Sequence, residues 1–276
     1  MFHRILVVIS LVFALGACSG LMYSGGHRDA VSTRLVDFLY PKESDRQVHK
    51  PEIPVLNLPV RVGLAFVPSK QWRQNGFHES QQIELLNQVK AEFEKQDYID
   101  QIEVIPSTYL KGDNGFDSMD RISRMYNVDV MALVSYDQMR RSSENTASLL
   151  YWTIVGAYII PGNDNRVQTF VDTAVFDIKS RNMLFRAPGH SKLKQSSTAV
   201  KIDDSINAKS AEGFQLAMTE MQTNLATELE RFKVRVKEEK VAEIRHKPGY
   251  SGAGSIGLTL LILFGCMVGR NLFRRP

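Results

Sequence analysis

The stretch VDVMALVSY, residues 128–136, contains apolar side chains at every position except Asp129 and Ser135. Successive residues of a β-strand point to opposite faces of a sheet, so a run that is apolar almost throughout has two faces to bury. We therefore predict that this segment is a central, buried strand and that the other elements of the domain are arranged around it.

Upstream of this strand the apolar residues follow two different periods. Residues 60–66 alternate as in a strand that Pro68 ends, and 102–105 form a shorter strand-like run. Two other segments repeat apolar residues every three or four positions, as amphipathic helices do: Ile83, Leu86, Val89 and Phe93, then Phe116, Met119, Ile122 and Tyr126. We predict helices over about 80–96 and up to Asn127, which suits the left-handed conformation at a helix end.

Downstream, residues 149–160 (LLYWTIVGAYII) are apolar but too few to cross a bilayer. Their β-branched and aromatic content, and the Pro161 that follows, favour a strand. We expect the aromatic residues of this segment to lie in the core: Tyr151, Trp152 and Tyr158. Residues 167–178 then alternate and are separated from 183–186 by a four-residue turn, which predicts a β-hairpin.

One long helical pattern follows the hairpin. Its apolar residues step by four and three: Phe214, Met218, Met221, Leu225, Leu229, Phe232 and Val236. We predict a helix over about 207–246, ~60 Å long at ~1.5 Å per residue, whose charged second half extends as a solvated stalk. The sequence thus predicts an α/β (α+β) fold, with a mixed sheet packed by two helices and a long C-terminal helix.

The chain begins with a secretory signal. Residues 1–17 have a short basic start, an apolar stretch and small residues at the end, and are too short to remain as a membrane span. Leu15-Gly16-Ala17-Cys18 matches the bacterial lipobox, in which the cysteine receives a diacylglycerol and its amino group a further acyl chain such as palmitate. Several acyl chains anchor a protein firmly. An ordinary secretory signal with an incidental cysteine is the alternative.

The chain ends with a second membrane signal. Residues 256–268 are apolar and an arginine cluster follows, so we predict a transmembrane helix with its arginines in the cytoplasm. Ser19, after the cysteine, addresses the protein to the outer membrane, whereas this tail would hold it in the inner one. Either the chain bridges the periplasm or the tail is temporary. Four small residues precede the tail, namely Gly252, Ala253, Gly254 and Ser255. They favour cleavage, because glycine is unfavourable in a helix and an intramembrane protease needs backbone that leaves the helix easily.

These terminal features resemble a known family. The Gly-rich patch, short apolar helix and arginine cluster resemble the GlyGly-CTERM sorting signal, which the rhomboid-type protease rhombosortase cuts. Together with the lipobox they resemble the rhombotarget lipoprotein family, as do residues 35–41 (LVDFLYP), 171–177 (VDTAVFD) and 184–189 (LFRAPG). That family usually has adjacent glycines where this chain has Gly252-Ala253-Gly254. The resemblance covers most of the chain and implies a processing route, with a transient inner-membrane span, rather than an activity. A plain tail anchor is the alternative.

The charges outside the body account for the basic character of the chain. Residues 1–17 and 256–276 hold four of the 34 basic residues and no acid, which leaves 30 bases against 30 acids. A neutral body argues against nucleic acid as a partner, since phosphate neutralisation needs a basic surface. The predicted organisation is a signal peptide 1–17, a tether 18–58, an α/β domain 59–206, a long helix or stalk 207–248, and a cleavage region with transmembrane helix and arginine cluster 249–276.

We predict no catalytic, cofactor or metal site. The six histidines lack ligand spacing, and no nucleophile elbow, P-loop or dinucleotide-binding motif occurs. Asp172 and Asp177 are an odd number of residues apart and cannot share a strand face. We interpret Asp203-Asp204 as a turn or helix start, residues 112–115 as a turn and His190 as an exposed loop residue.

The leading functional hypothesis is a non-enzymatic lipoprotein of the outer membrane or cell surface, lipidated on Cys18. Its expected partners are the lipoprotein-processing enzymes, a rhomboid-type sorting protease, the membrane, and a protein partner or second copy that binds through the long helix. Two rivals stay open: a structural bridge that keeps both anchors, and an envelope hydrolase without a recognisable motif.

Mass spectrometry of the mature protein tests the processing hypothesis. We expect an acylated Cys18 at the amino terminus and a carboxyl terminus within 251–255, because the tail is cut at its small residues. A chain intact through Pro276 would rule out sorting and favour the bridge. An unmodified Cys18 within a longer chain would rule out the lipoprotein.

Overall fold

The structure is a computed structural model that describes residues 28–32, 35–41, 52–68, 79–111, 115–152 and 154–248. The predicted signal peptide, Cys18, the Gly-rich patch and the apolar tail lie outside these residues. Within them, no helix is both long enough and apolar enough to cross a membrane.

The chain divides into two compact units, each built from separate stretches of sequence. Of the described residues, the first unit comprises 28–31, 137–152, 154–170 and 190–218. The second comprises 32, 35–41, 52–68, 79–111, 115–136, 171–189 and 219–248.

The described residues form eight strands and five α-helices. The strands are β1 (Arg28–Ser32), β2 (Val55–Leu58), β3 (Val60–Phe66), β4 (Ile99–Val104), β5 (Val130–Glu144), β6 (Asn163–Asp177), β7 (Met183–Ser197) and β8 (Glu243–His246). The helices are α1 (Leu35–Leu39), α2 (Glu79–Phe93), α3 (Gly115–Tyr126), α4 (Ile154–Ile159) and α5 (Ile202–Glu238). Three short 3-10 helices lie at Ser107–Leu110, Thr146–Trp152 and Ala199–Lys201.

The predicted central strand is confirmed as β5. In the second unit the strand order is β4-β3-β5-β6-β7, and β3 runs parallel to both of its neighbours. The two polar residues of the stretch 128–136 have hydrogen-bond partners. Asp129 accepts hydrogen bonds from the Arg61 N–H at 3.2 Å and from Lys247 at 3.3 Å, and the Ser135 hydroxyl donates to the carbonyl oxygen of Asp172 at 3.3 Å. The strand therefore buries its apolar residues without leaving these polar groups unsatisfied.

The two predicted crossover helices are confirmed as α2 and α3, and they lie on opposite faces of the sheet. The chain crosses from β3 to β4 in one direction and from β4 to β5 in the other, so right-handed connections place the two helices on different sides. α3 packs with Met131 and Leu133, whereas α2 shares a cavity with Val130 and Ala132. Asn127 ends α3 with φ 56°, as predicted.

The face under α3 is a closed apolar core. The Phe116 ring meets the rings of Tyr40 and Phe176 edge to face, with centroids 5.3 and 6.2 Å apart. Other buried members are Leu39, Ala65, Val67, Ile105, Leu110, Met119, Ile122, Val128, Met131, Leu133, Ala174 and Ile178. Leu39 belongs to α1, so a segment inside the predicted tether packs on the domain.

The predicted hairpin is present and longer than expected. β6 and β7 are neighbours in the sheet and have fifteen residues each. The turn between them is held by the Asp177 carboxylate, which accepts the Ser180 N–H at 2.8 Å, and Arg181 adopts a left-handed φ of 58°. The halves of β6 and β7 next to the turn, 171–177 and 183–189, belong to the second unit. The other halves, 163–170 and 190–197, belong to the first.

The prediction of a strand at 149–160 is wrong. The segment forms the 3-10 helix Thr146–Trp152 followed by α4. Local polar contacts close it into a helical loop: Asn145 Oδ1 accepts the Ala147 N–H at 2.9 Å, and Tyr151 Oη accepts the Gly162 N–H at 2.7 Å. Within the segment the helices satisfy backbone groups locally, as where the Ile160 N–H donates to the Gly156 carbonyl at 2.9 Å, so no partner strand is needed. The expected burial of Tyr158 is also wrong, because 62% of this residue is exposed.

The prediction of one helix to 246 with a solvated stalk is corrected as well. α5 starts at Ile202, with Asp203 and Asp204 in its first turn, and ends at Glu238. The chain then turns at Lys240, with φ 54°, and β8 pairs in parallel with β2. The helix keeps an apolar side almost to its end, where Phe232 is only 6% exposed.

Gly115 offers a test of the α3 packing. A Cβ at this position would lie 2.5 Å from the carbonyl oxygen of Phe38, which is backbone and cannot move aside cheaply. We expect Gly115→Ala to lower the free energy of unfolding by about 1–3 kcal/mol, measured as a lower urea midpoint at unchanged slope. Gly63→Ala is the matched control, because its Cβ would meet only the flexible ends of Ile105 and Met131. A smaller loss for Gly115→Ala than for Gly63→Ala would contradict this account.

Candidate functional site: an apolar cavity in the second unit

A cavity of about 770 Å³ lies within the second unit, on the sheet face opposite α3. It lies between the sheet, α2, the second half of α5 and the β2–β8 pair, and it is open to the surface. Hydrocarbon side chains line it with four exceptions, which are Tyr98, Lys233, Lys237 and His246.

The walls of the cavity follow from the periods that are visible in the sequence. Strand residues two apart share a face, which brings Val60, Val62 and Leu64 of β3 to one wall together with Val130 and Ala132 of β5. The α5 wall uses residues four, three and four apart: Leu225, Leu229, Phe232 and Val236. The same α5 residues were predicted as one helix face, but nothing in their spacing shows that the two walls stand apart.

Two lysines lie where the cavity meets the surface. Lys233 and Lys237 are one helical turn apart on α5, and both line the cavity while their side chains reach solvent. The Lys233 ammonium donates a hydrogen bond to Glu230 at 2.6 Å and lies 4.3 Å from the centroid of the Tyr98 ring. This end of the cavity is therefore cationic, whereas the interior is hydrocarbon.

Tyr98 carries an unsatisfied polar group in this wall. Its hydroxyl is buried and makes no hydrogen bond to the described residues. Burial raises the pKa of Tyr98, and the nearby Lys233 opposes this rise only in part. For Lys233, burial alone would lower the pKa, but the hydrogen bond to Glu230 and the interaction with Tyr98 raise it overall. At neutral pH the site thus presents a neutral phenol and a charged ammonium.

Most residues considered as sites in the sequence have structural roles. Asp172 forms a two-point ion pair with Arg186, at 2.7 and 3.3 Å, and Asp177 holds the hairpin turn. His190 is an exposed residue of β7 rather than of a loop. Of the predicted turn at 112–115, only Gly115 is among the described residues, and it begins α3. Among the described residues, no group of three or more His, Cys, Asp or Glu side chains could hold a metal ion.

The first unit contains a polar interior that sequence reasoning did not anticipate. The Asn165 side chain hydrogen-bonds the hydroxyls of Ser142, Ser197 and Ser205 at 2.7, 2.8 and 3.1 Å. Gln138 bonds Thr169 at 2.9 Å in the same way. Such a network fixes how α5 seats on the strands of this unit, because a shifted register would leave buried polar groups unpaired. Small polar residues at alternating positions of β5, β6 and β7 are the sequence feature that could have predicted this polar interior.

Comparison with known proteins gives no family assignment. No family model matches the chain, and no curated protein matches it. Three solved structures are similar in part. A homologue of the neuraminyllactose-binding hemagglutinin from Helicobacter pylori has 13% identity and a TM-score of 0.37, with 73% of this chain and 97% of that one covered. A PelC dodecamer from Paraburkholderia phytofirmans has 11% identity and a TM-score of 0.24, with 69% of this chain and 99% of that one covered. A lipoprotein from Neisseria meningitidis has 11% identity and a TM-score of 0.25, with 56% of this chain and 97% of that one covered.

Proposed function

We propose that this chain is a bacterial envelope lipoprotein whose second unit binds the acyl part of an anionic amphiphile, such as a fatty acid or phospholipid, in the apolar cavity. The cavity is the observation that carries the proposal. Its volume of about 770 Å³ lies inside the range of about 300–1,000 Å³ that is usual for small-molecule sites.

The hydrocarbon walls of the cavity support an apolar ligand. Water gains little there, because it needs several polar partners and nearly all of the lining side chains are hydrocarbon. Apolar surface that a ligand removes from water contributes about 25 cal/mol per Å². A flexible acyl chain can cover these walls along the whole cavity.

The cationic end of the cavity selects the class of head group. Lys233 and Lys237 line the cavity and their side chains reach solvent at its opening. A carboxylate or phosphate held there would accept hydrogen bonds from both ammonium groups. The lining includes no carboxylate, Ser or Thr hydroxyl, or thiol, so binding describes this site better than hydrolysis.

The envelope location rests on the sequence signals. In this proposal Cys18 carries the lasting lipid anchor, and a rhomboid-type sorting protease removes the tail near Gly252, Ala253, Gly254 and Ser255. The mature protein then stays at the outer membrane or cell surface. There it has constant access to amphiphiles of the kind that its cavity fits.

Filling the cavity tests the acyl site. Leu229 lines it, whereas Val234 lies on the exposed side of the same helix, so Leu229→Trp and Val234→Trp form a matched pair. We expect Leu229→Trp to weaken the binding of a fluorescent fatty acid at least tenfold, because the indole occupies the space of the chain. Val234→Trp should leave binding unchanged. Equal affinities for the two variants, both with native circular dichroism, would rule out this cavity as the binding site.

Removing the rim charges tests the head group. We expect Lys233→Gln combined with Lys237→Gln to weaken palmitate binding by about tenfold, as two partly exposed charge contacts contribute about 0.2–1 kcal/mol each. Hexadecanol, which has the same chain without the charge, should bind both proteins equally. Lys240→Gln removes a lysine outside the lining and serves as the control. An equal loss of affinity for palmitate and hexadecanol would show that the lysines affect the shape of the cavity but do not bind the charged head group.

A further inference from the structure

The first unit exposes an unusually apolar surface. Its members are the large residues Leu149, Leu150, Val155, Tyr158, Ile159 and Val200, which are 52–70% exposed. No residue between Glu144 and Asp164 is charged. Isolated apolar residues are common on protein surfaces, but a group confined to three neighbouring short segments marks a contact site.

The apolar surface is held by a structured base. α4 packs against the 3-10 helix Thr146–Trp152 and against the 3-10 helix Ala199–Lys201, so it joins the three segments that carry the surface. At the base, Tyr151 Oη accepts hydrogen bonds from the Gly162 N–H at 2.7 Å and from the Asn163 amide at 2.8 Å. Polar groups are thus satisfied beneath, while hydrocarbon is presented outward.

The amino-terminal chain limits the distance of this unit from a membrane. β1 starts at Arg28 and pairs with β5, and only nine residues separate Arg28 from Cys18. Ten Cα–Cα steps span at most about 35 Å, whatever their conformation. If Cys18 carries the lipid anchor, the unit that exposes the apolar surface is therefore held within ~35 Å of the bilayer.

We propose that the apolar surface inserts into the lipid interface of the membrane that holds the Cys18 anchor. This inference rests on the proposed lipid anchor but is independent of the cavity in the second unit. The exposed side chains are aliphatic or Tyr, the types that enter the boundary between head groups and acyl chains. No residue of 145–163 carries a charge that insertion would have to remove from water, and the short link to Cys18 keeps this unit near a bilayer.

A tryptophan reporter tests insertion. The full chain is expressed with its lipoprotein signal, purified, and reconstituted in phosphatidylethanolamine–phosphatidylglycerol vesicles. Trp72→Phe and Trp152→Phe remove both native tryptophans, and Ile159→Trp places a reporter in the apolar surface. Val234→Trp in the same background is the control reporter. We expect lipids brominated in the upper acyl chain to quench the reporter at 159 at least threefold more than the reporter at 234.

The outcomes separate this inference from the proposal on which it rests. Protein that does not float with the vesicles contradicts the lipid anchor itself. Protein that floats while the reporter at 159 is not quenched by lipid overturns the membrane contact. Shielding of that reporter from aqueous acrylamide without lipid quenching, together with concentration-dependent cross-linking, would assign the surface to a second copy instead.

A charge variant provides a second, independent readout. Leu149→Asp with Val155→Asp changes two residues that are 69% and 65% exposed, so the folded state should keep its melting temperature. We expect lipid quenching of the reporter at 159 to fall to the level of the control reporter. Met183→Asp, at a residue 51% exposed in the second unit, should leave the quenching intact. Unchanged quenching in the double variant would contradict insertion of this surface.

Discussion

The burial of β5 on both faces is the constraint on which the second unit depends. Met131 and Leu133 lie at 0% exposure in the closed core under α3, whereas Val130 and Ala132 face the cavity on the other side. One strand thus contributes to two layers of different density. Close packing gives rigidity to the first layer, and the opposite layer can remain open because that rigidity holds the sheet in place.

The long helix α5 changes character along its length, and each part suits the unit that contains it. Its first half offers Ser205, Ser210 and Gly213 to a hydrogen-bonded interior. Its second half offers Leu225 and Phe232 to a hydrocarbon cavity. Polar networks specify one arrangement of their members, whereas apolar walls tolerate ligands of different shape. The helix therefore combines a fixed attachment with an adaptable binding wall.

Lipid is the common element of the proposals for the two units and the amino terminus. An acyl anchor on Cys18 places the chain at a membrane, uncharged short helices in the first unit suit the interface, and the cavity of the second unit suits an acyl chain. Each rests on a different physical feature, namely a thiol in a predicted processing motif, an exposed apolar area and an apolar cavity. One of them can therefore fail without removing the observation behind the others.

The sequence by itself determined the features that depend on local pattern. The spacing of apolar residues and the positions of turn residues located α2, α3, the core of β5 and the hairpin turn. Short motifs predict the terminal signals, which lie outside the described residues. Only the tertiary structure decided the features that depend on distant neighbours. Spacing could assign Leu225 and Val130 to inward faces, but it could not show that these faces stand apart around a cavity. Nor could hydrophobicity show that Tyr158 and Ile159 are exposed, because burial is set by what packs opposite a residue, and that partner comes from elsewhere in the chain.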